Sequence, residues 1–129
     1  MTEVPEGYHY TRSHEWAKKE GSVVVIGITD YAQESLGDIV FVELKDVDTE
    51  INAGESFGTI ESVKAAEDLN NPVGGIVAAT NGSLNDDPAA VNRDPYGSWM
   101  IKLKEFKEED LNNLMDSSAY SEYIASLAD

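Results

Sequence analysis

Few residues in this sequence could perform acid–base, nucleophilic or metal chemistry. Cysteine is absent, and the only two histidines, His9 and His14, are five positions apart, a spacing that suits neither a strand face nor a helix face. Residues 46–50 begin like a calcium-binding loop, but Ile51 and Phe57 occupy the positions that require Gly and Glu. A phosphate-binding Gly-rich loop and a Gly-x-Ser-x-Gly motif are also missing. We therefore predict no catalytic residues and no metal site, and we expect His14 to be a surface or hydrogen-bonded side chain.

Lys64 is the one residue that stands out, because it is isolated from other positive charges. It is the only basic residue between Lys45 and Arg93. Apolar alternation stops at Ser62 and resumes around Asp68, which places Lys64 near the tip of a β-hairpin. There its amine extends into water on a flexible stem. The pattern is compatible with an ordinary exposed lysine or with a site of covalent modification.

Composition excludes several classes of partner. The 129 residues contain 9 Lys+Arg and 25 Asp+Glu, a formal net charge of −16. This charge argues against nucleic acid and against an anionic membrane surface, since both are bound through clustered basic residues. The most apolar run, 23–28, is far too short to span a bilayer, and the first six residues do not resemble a signal peptide. We expect a bacterial cytoplasmic protein, or a mitochondrial matrix protein if the sequence is a mature organellar form.

The elements that would position Lys64 are mostly strands. Turn residues recur every eight to twelve positions through residue 103, as in small sandwiches and barrels. We predict strands at 22–28, 38–44, 56–62, 76–79 and 99–103, and we expect the strand at 38–44 to be covered on both faces. Asp30 is the expected N-cap of a short helix over 31–36, which Gly37 ends.

The rest of the chain combines turns with short helices. Asn81-Gly82 predicts a tight turn, since both residues tolerate positive φ angles, and residues 87–91 predict a helical turn. After residue 107 an acidic helix start precedes an apolar stripe, and Ser117 or Ser118 could cap a second helix. We expect these C-terminal helices to pack against a body that is otherwise β.

These blocks resemble a known family. Glu61-Ser62-Val63-Lys64-Ala65 is similar to the lipoyl-lysine motif of glycine cleavage system H proteins. Other matching blocks follow in the family's order: Ser13-His14-Glu15-Trp16, 27–33 with 36–38, 40–44, Pro72-Val73 with Gly75, Asn81, Pro88, Val91-Asn92, 94–97 and 99–101. The resemblance covers the chain from about Tyr8 to the C-terminal helices. Tyr96-Gly97-Ser98-Trp99 is one residue shorter than the family's usual form, and Ser35 stands where some members have a histidine.

The resemblance implies a fold. It predicts a mainly β, lipoyl-domain-like barrel-sandwich hybrid of two small antiparallel sheets, with short helices and a C-terminal helical segment. We expect residues 1–129 to form a single lipoyl-carrier domain, with a β body over about 8–104 and helices over about 107–128.

The resemblance also implies a carrier rather than an enzyme. Lipoic acid in amide linkage to Lys64 would form a swinging arm, with the protein supplying its placement. Three enzymes would use the arm: glycine decarboxylase (P protein) loads an aminomethyl group, aminomethyltransferase (T protein) receives it, and dihydrolipoyl dehydrogenase (L protein) reoxidises the dithiol. A lipoate ligase or a lipoyl/octanoyl transferase would attach the cofactor.

Further residues receive roles from the same resemblance. Ser13, Glu15 and Asp68 are candidates to contact the amine end of the loaded arm in a cleft, where a carboxylate would suit a cationic methylamine. Glu61 and Glu67 are candidates for recognition by the modifying enzyme, to which an acidic turn offers an electrostatic handle.

Other functions are compatible with the same sequence. The chain could be an H-like lipoyl donor that serves other complexes or a protein-modifying enzyme. It could also be an acidic interaction module without a cofactor. Biotinyl domains and the lipoyl domains of 2-oxo acid dehydrogenases fit less well, because they lack the N-terminal block and the C-terminal helices. We expect a monomer, since the carrier would visit several enzymes.

Overall fold

The computed structural model describes residues 2–127, in which nine strands form two antiparallel sheets. The strands are β1 His9–Tyr10, β2 Glu15–Glu20, β3 Val23–Ile28, β4 Ile39–Leu44, β5 Glu50–Ile51, β6 Ser56–Ser62, β7 Ala66–Asn70, β8 Gly75–Thr80 and β9 Ile101–Lys104. Six of them form one sheet in the order β1-β2-β3-β9-β8-β5, and the other three form a sheet in the order β4-β6-β7. The predicted mainly β fold with two antiparallel sheets is confirmed.

Five short helices complete the described part of the chain. They are α1 Asp30–Leu36, α2 Ser83–Asp86, α3 Ala90–Arg93, α4 Glu108–Asn112 and α5 Ser117–Ser126. The helix α1 joins the two sheets, because it connects β3 to β4. The helix α4 is attached to the start of β8, where the Gly74 amide donates to the Asp110 carboxylate at 3.0 Å.

The main core lies between the sheets and follows from period-two alternation. Val24, Ile26 and Ile28 face it from β3, and Val42 and Ile60 face it from the smaller sheet. All five side chains are buried. Burial of such side chains away from water supplies the main driving force for stacking the two sheets.

A second, aromatic cluster covers the opposite face of β1, β2 and β3. Its buried members are Tyr10, Trp16, Val25 and Tyr120. The ring of Tyr120, on α5, stacks on Tyr10 with centroids 4.6 Å apart and planes 5° from parallel. Gly27 is opposite Trp16 in the sheet, and a Cβ there would lie 2.7 Å from the indole. The strand β3 and the first half of β2, Glu15 to Ala17, are therefore buried on both faces, and α5 packs on the β body as expected.

Both helix caps differ from the sequence expectation. Thr29, not Asp30, caps α1, with its Oγ1 accepting from the Ala32 amide at 3.2 Å. Asp116, not Ser117 or Ser118, caps α5 by accepting from the Ala119 amide at 2.8 Å. In each case a good capping residue lies just before the predicted one, and the tertiary path of the chain selects it. Gly37 ends α1 with φ at 79°, as predicted.

Two other expectations need correction. A tight turn does begin at Asn81, where the Leu84 amide donates to the Asn81 carbonyl at 3.2 Å, but neither Asn81 nor Gly82 has a positive φ. Instead, the Asn81 side chain accepts from the amide of Ser83 at the start of α2, and two short helices separate β8 from β9. The strand β4 is not covered on both faces, because Val40 and Phe41 are exposed. The sequence pattern there is apolar, but Val40 and Phe41 are left exposed on that face by the helices and strands of residues 2–127.

Candidate functional site

Lys64 lies in the turn between β6 and β7, which is held by local hydrogen bonds. The Ser62 amide donates to the Ala65 carbonyl at 2.8 Å. The Ser62 hydroxyl accepts from the amides of Lys64 and Ala65, each at 3.1 Å. A serine that bonds the backbone of the following residues is a common turn device. The hairpin tip expected from the sequence is therefore present, with Lys64 exposed on it.

The stem of Lys64 lies beside the junction of α1 and β4. A Cβ on Gly37 would be 3.5 Å from Lys64 Cε and 4.0 Å from Cδ. The Val63 amide donates to the Asp38 carbonyl at 3.0 Å, which attaches the turn to the same junction. Gly37 thus ends α1 and lies at van der Waals distance from the lysine stem.

Asn92, on α3, braces this junction. Its side chain accepts from the Ile39 amide at 2.9 Å and donates to the carbonyl of Gly37 at 2.8 Å and to Gln33 Oε1 at 3.0 Å. Sequence reasoning assigned no role to Asn92 beyond its place in a matching block. No short-range pattern could have found it, because its partners are more than fifty residues away in the chain.

Carboxylates flank the Lys64 turn on both strands of the hairpin. Glu61, Glu67 and Asp68 are all exposed, and together with Thr59 and Ala66 they line a shallow groove of about 280 Å³. In the sheet Glu61 is opposite Ala66, and Thr59 is opposite Asp68. The groove is open to water and acidic, so it favours a cationic or hydrogen-bond-donating occupant.

Glu15 lies in a different environment, buried with 3% of its surface exposed. Its Oε1 accepts from the hydroxyls of Thr11 at 2.7 Å and Ser13 at 2.5 Å, and its Oε2 accepts from the Asn70 amide at 3.2 Å. Burial raises the pKa of the Glu15 carboxyl, and the hydrogen bonds from Ser13, Thr11 and Asn70 oppose that rise. Glu15 is therefore a buried acid, and its hydrogen-bond donors lie on the segment just before β2 and at the end of β7.

The structure brings two of the three candidate cleft residues together. Ser13 and Glu15 are directly hydrogen-bonded. Asp68 is exposed on the smaller sheet and forms no described hydrogen bond to either residue. It is two positions from Asn70 along β7, about 7 Å at the rise of an extended strand. Asp68 therefore borders the same region without contacting the Ser13–Glu15 pair.

His14 is the residue whose role sequence reasoning left most open. It adopts a positive φ of 75°, between the two candidate cleft residues Ser13 and Glu15. Its Nδ1 is hydrogen-bonded to the Tyr120 hydroxyl at 2.8 Å, and that hydroxyl is 2.8 Å from Thr29 Oγ1. Burial lowers the pKa of the His14 imidazole. Of the two expectations for His14, the hydrogen-bonded one is right, and its partner comes from the C-terminal helix.

Within residues 2–127, no three His, Asp or Glu side chains are arranged to hold a metal ion. No helix in that range is long and apolar enough to cross a membrane. The two tryptophans differ in burial: Trp16 is in the aromatic cluster and donates from Nε1 to the Pro95 carbonyl at 3.2 Å, whereas Trp99 is half-buried.

Together, the small β-sandwich and the lysine on a braced hairpin tip define a carrier-type domain. Comparisons with known proteins identify the family. The family model described as "Glycine cleavage H-protein" matches residues 8–127. The chain belongs to the glycine cleavage H-protein family, which confirms the resemblance seen in its motifs. This is a family of lipoyl-carrying proteins, so the chain is a lipoyl carrier of the glycine cleavage system and not an enzyme.

Individual relatives match over nearly the whole chain. The glycine cleavage system H protein of Leptospira biflexa serovar Patoc is 50% identical over 126 residues, covering 98% of this chain and 97% of the relative. That of Rubrobacter xylanophilus is 54% identical over 112 residues, covering 86% and 89%. The crystal structure of a glycine cleavage system H protein from Mycobacterium marinum superposes with a TM-score of 0.85. It is 36% identical and covers 95% of this chain and 99% of that one.

Proposed function

We propose that lipoate is carried in amide linkage on Lys64 and that this arm serves the P, T and L proteins of the glycine cleavage system. The observation that carries the proposal is the placement of Lys64 on an exposed turn that is braced against the α1–β4 junction. Among residues 2–127, no acidic group lies within salt-bridge distance of Lys64 Nζ. The amine is therefore available for acylation.

The residues around Lys64 fit a long acyl substituent. The stem passes beside Gly37, and the turn itself is held by backbone bonds that acylation does not disturb. When bound, lipoate would supply a disulfide whose S–S bond breaks as one sulfur takes the aminomethyl group and the other becomes a thiol; after the group leaves, loss of two electrons and two protons from the dithiol would restore the disulfide. The chain supplies a rigid base and an acidic surface, and such a surface raises encounter rates with electropositive partners.

Intact-mass measurement tests the attachment site directly. Protein from lipoate-supplied cells should exceed the sequence mass by one lipoyl group, and Lys64→Arg should abolish the increment. Lys45→Arg is the matched control, because Lys45 is also exposed in an acidic stretch and should keep the increment. A lipoyl group that persists in Lys64→Arg would overturn the assignment.

We further propose that Glu61 and Glu67 assist recognition by the lipoate ligase or the lipoyl/octanoyl transferase. Both carboxylates are exposed beside the turn and would pair with basic groups of that enzyme. The double variant Glu61→Gln/Glu67→Gln should be modified more slowly, with a weaker dependence on ionic strength. Glu50→Gln/Glu55→Gln, exposed near the other end of β6, removes the same charge and should leave the rate unchanged.

For the loaded arm, we propose that Glu15, Ser13 and Asp68 form the part of the cleft that meets the amine. Three donors hold the Glu15 carboxylate in place, and a cationic amine would add the opposite charge to that buried acid. Glu15→Ala should speed hydrolytic loss of the aminomethyl group without preventing lipoylation. An unchanged rate of loss in a folded variant would remove Glu15 from the cleft.

Reconstitution with purified P, T and L proteins separates this function from that of a lipoyl donor to other complexes. The lipoylated chain should support glycine decarboxylation with release of ammonia, and the Lys64→Arg variant should not. We also propose a bacterial cytoplasmic location, which the bacterial sources of several relatives with the H-protein name support. The single-domain and monomeric states stay predictions.

A further inference from the structure

Three exposed apolar side chains lie at the base of the Lys64 turn. Val40, Phe41 and Val63 are 53%, 44% and 69% exposed. The chain segments that carry them are adjacent, because the Val63 amide donates to the Asp38 carbonyl and Ile39 is opposite Ser62 in the sheet. Single exposed apolar residues need no explanation, but a group of them on adjacent segments beside a functional residue points to an interaction surface. We call Val40, Phe41 and Val63 the bulge patch.

A β-bulge creates this patch. The pairing of β4 with β6 shifts register between Ile39 and Phe41, so Val40 is an extra residue in the strand. Ile39 and Val42 point into the core, while the two residues between them are both exposed. Bulges re-aim side chains in this way and occur next to functional sites. The backbone thus presents two consecutive apolar side chains outward, where strict alternation would bury one of them.

The bulge patch has an acidic rim. Phe41 is directly opposite Glu61 in the sheet, Glu43 is two positions further along β4, and Asp38 precedes the bulge. All three carboxylates belong to exposed residues. Between residues 20 and 92 the sequence contains only two basic residues, Lys45 and Lys64. A complementary partner would place an apolar contact at its centre and Lys or Arg around it.

We propose that the bulge patch is the docking surface for the enzyme that attaches the lipoyl group to Lys64. This inference rests on the proposed function. Amide formation occurs at Lys64 Nζ, and the stem of Lys64 lies against Gly37, three residues before Val40. The catalytic groups of the attaching enzyme must reach that amine, so its surface must cover the surrounding patch. Enzymes that use the distal end of the arm work a whole acyl chain away and need no such contact.

The reaction at the amine has a defined balance. A lipoate ligase forms lipoyl adenylate from lipoate and ATP: a lipoate carboxylate oxygen bonds to the α-phosphorus, the bond from that phosphorus to the β-phosphate bridge breaks, and pyrophosphate leaves. The deprotonated Lys64 amine then attacks the carbonyl carbon of the adenylate. A C–N bond forms, the bond from the carbonyl carbon to the phosphate oxygen breaks, AMP leaves with that electron pair, and the attacking nitrogen loses one proton to solvent.

The test compares exposed valines inside and outside the patch. The unlipoylated full chain is incubated with a purified lipoate ligase, lipoate and MgATP, and kcat/KM is obtained from intact mass. Val40→Ser/Val63→Ser should lower kcat/KM by about tenfold or more, as expected for central contacts of an interface. Val47→Ser is the matched control, since Val47 is 48% exposed in the acidic loop between β4 and β5. Its kcat/KM should equal that of the wild type.

A second assay distinguishes the attaching enzyme from the other partners. Each variant is lipoylated to completion by long incubation, and reduction of the arm by dihydrolipoyl dehydrogenase with NADH is then measured. This rate should be unchanged in Val40→Ser/Val63→Ser. An equal loss in both assays would overturn the assignment to the attaching enzyme, and unchanged ligation of the double variant would overturn the docking surface itself.

Folding and the proposed function are checked separately. Thermal unfolding followed by circular dichroism confirms that each variant is folded, and Val63→Ser alone, at the most exposed position, replaces the double variant if that one unfolds. Failure of the wild-type chain to accept lipoate at Lys64 would overturn the proposed function together with this inference. Normal modification of the wild type with no effect of the patch would overturn the inference alone.

Discussion

The Lys64 turn and the Glu15 site differ in exposure and in how they are held. The bonds of Ser62 within the turn join residues at most three positions apart, one further bond attaches the Val63 amide to the Asp38 carbonyl, and the lysine is exposed. The donors to Glu15 come from residues 11, 13 and 70, and the carboxylate is buried. The turn keeps its form when the exposed Lys64 side chain is modified, whereas the buried Glu15 carboxylate also depends on β7, which supplies the Asn70 amide. The attachment point and the holding site thus differ mainly in exposure.

The C-terminal helix α5 contacts the segment that carries Glu15. The Tyr120 hydroxyl, on α5, is hydrogen-bonded to His14, which precedes Glu15 and has a positive φ. A positive φ at a residue other than glycine carries strain that the surrounding contacts must hold. The helix therefore stabilises the segment that presents Ser13 and Glu15, while no described hydrogen bond links it to the Lys64 turn.

The largest expected difference between the two regions concerns Tyr120. Tyr120→Ala removes a buried ring stacked on Tyr10 and should lower the free energy of unfolding by about 3–5 kcal/mol. Lys64→Ala changes an exposed side chain and should alter it by less than about 0.5 kcal/mol. Urea denaturation followed by tryptophan fluorescence measures both. Equal destabilisation by the two variants would break the contrast.

Glu15 itself should show a smaller effect on stability. Glu15→Leu removes the acceptor for the Thr11 and Ser13 hydroxyls and for the Asn70 amide, and should cost about 1–3 kcal/mol. Glu15→Gln keeps one carbonyl oxygen and should cost less. The same denaturation assay at neutral pH tests the order. A Leu variant as stable as the wild type would show that the donors find water instead.

The buried Glu15 carboxyl should also make the stability of the protein depend on pH. Since burial raises the folded-state pKa of Glu15, its protonated form favours folding. This contribution is fully present below the unfolded-state pKa of about 4.3 and is lost as pH rises through the folded-state value. The stability of the wild type relative to Glu15→Gln should therefore fall between about pH 4 and neutrality. Denaturation midpoints across that range measure it, and a constant difference would contradict the raised pKa.

The smallest effect is expected at the turn. Ser62→Ala removes the acceptor for the amides of Lys64 and Ala65, and should cost about 0.5–1 kcal/mol, since both amides can bond water instead. Ser22→Ala, in the exposed turn between β2 and β3, is the control and should have no measurable effect. A cost above about 3 kcal/mol for Ser62→Ala would show that the turn is not merely local.

Much of the fold was predictable from the sequence because its signals are local. The alternation in β3 and β6, the end of α1 at Gly37 and the Lys64 hairpin all depend on neighbouring residues. The errors occur where distant contacts decide. Asn81-Gly82 has the composition of a hairpin turn, yet its segment leads into α2, and the apolar residues of β4 face solvent at a bulge.

The sequence by itself determined the family, the mainly β fold and the exposed position of Lys64, because ordered motifs and short-range periodicity encode all three. Only the tertiary structure decided the burial of Glu15, the link from Tyr120 to His14, the bracing by Asn92 and the outward bulge in β4. Each of these joins segments far apart in the chain, and such contacts are set by how the two sheets and the C-terminal helix pack together.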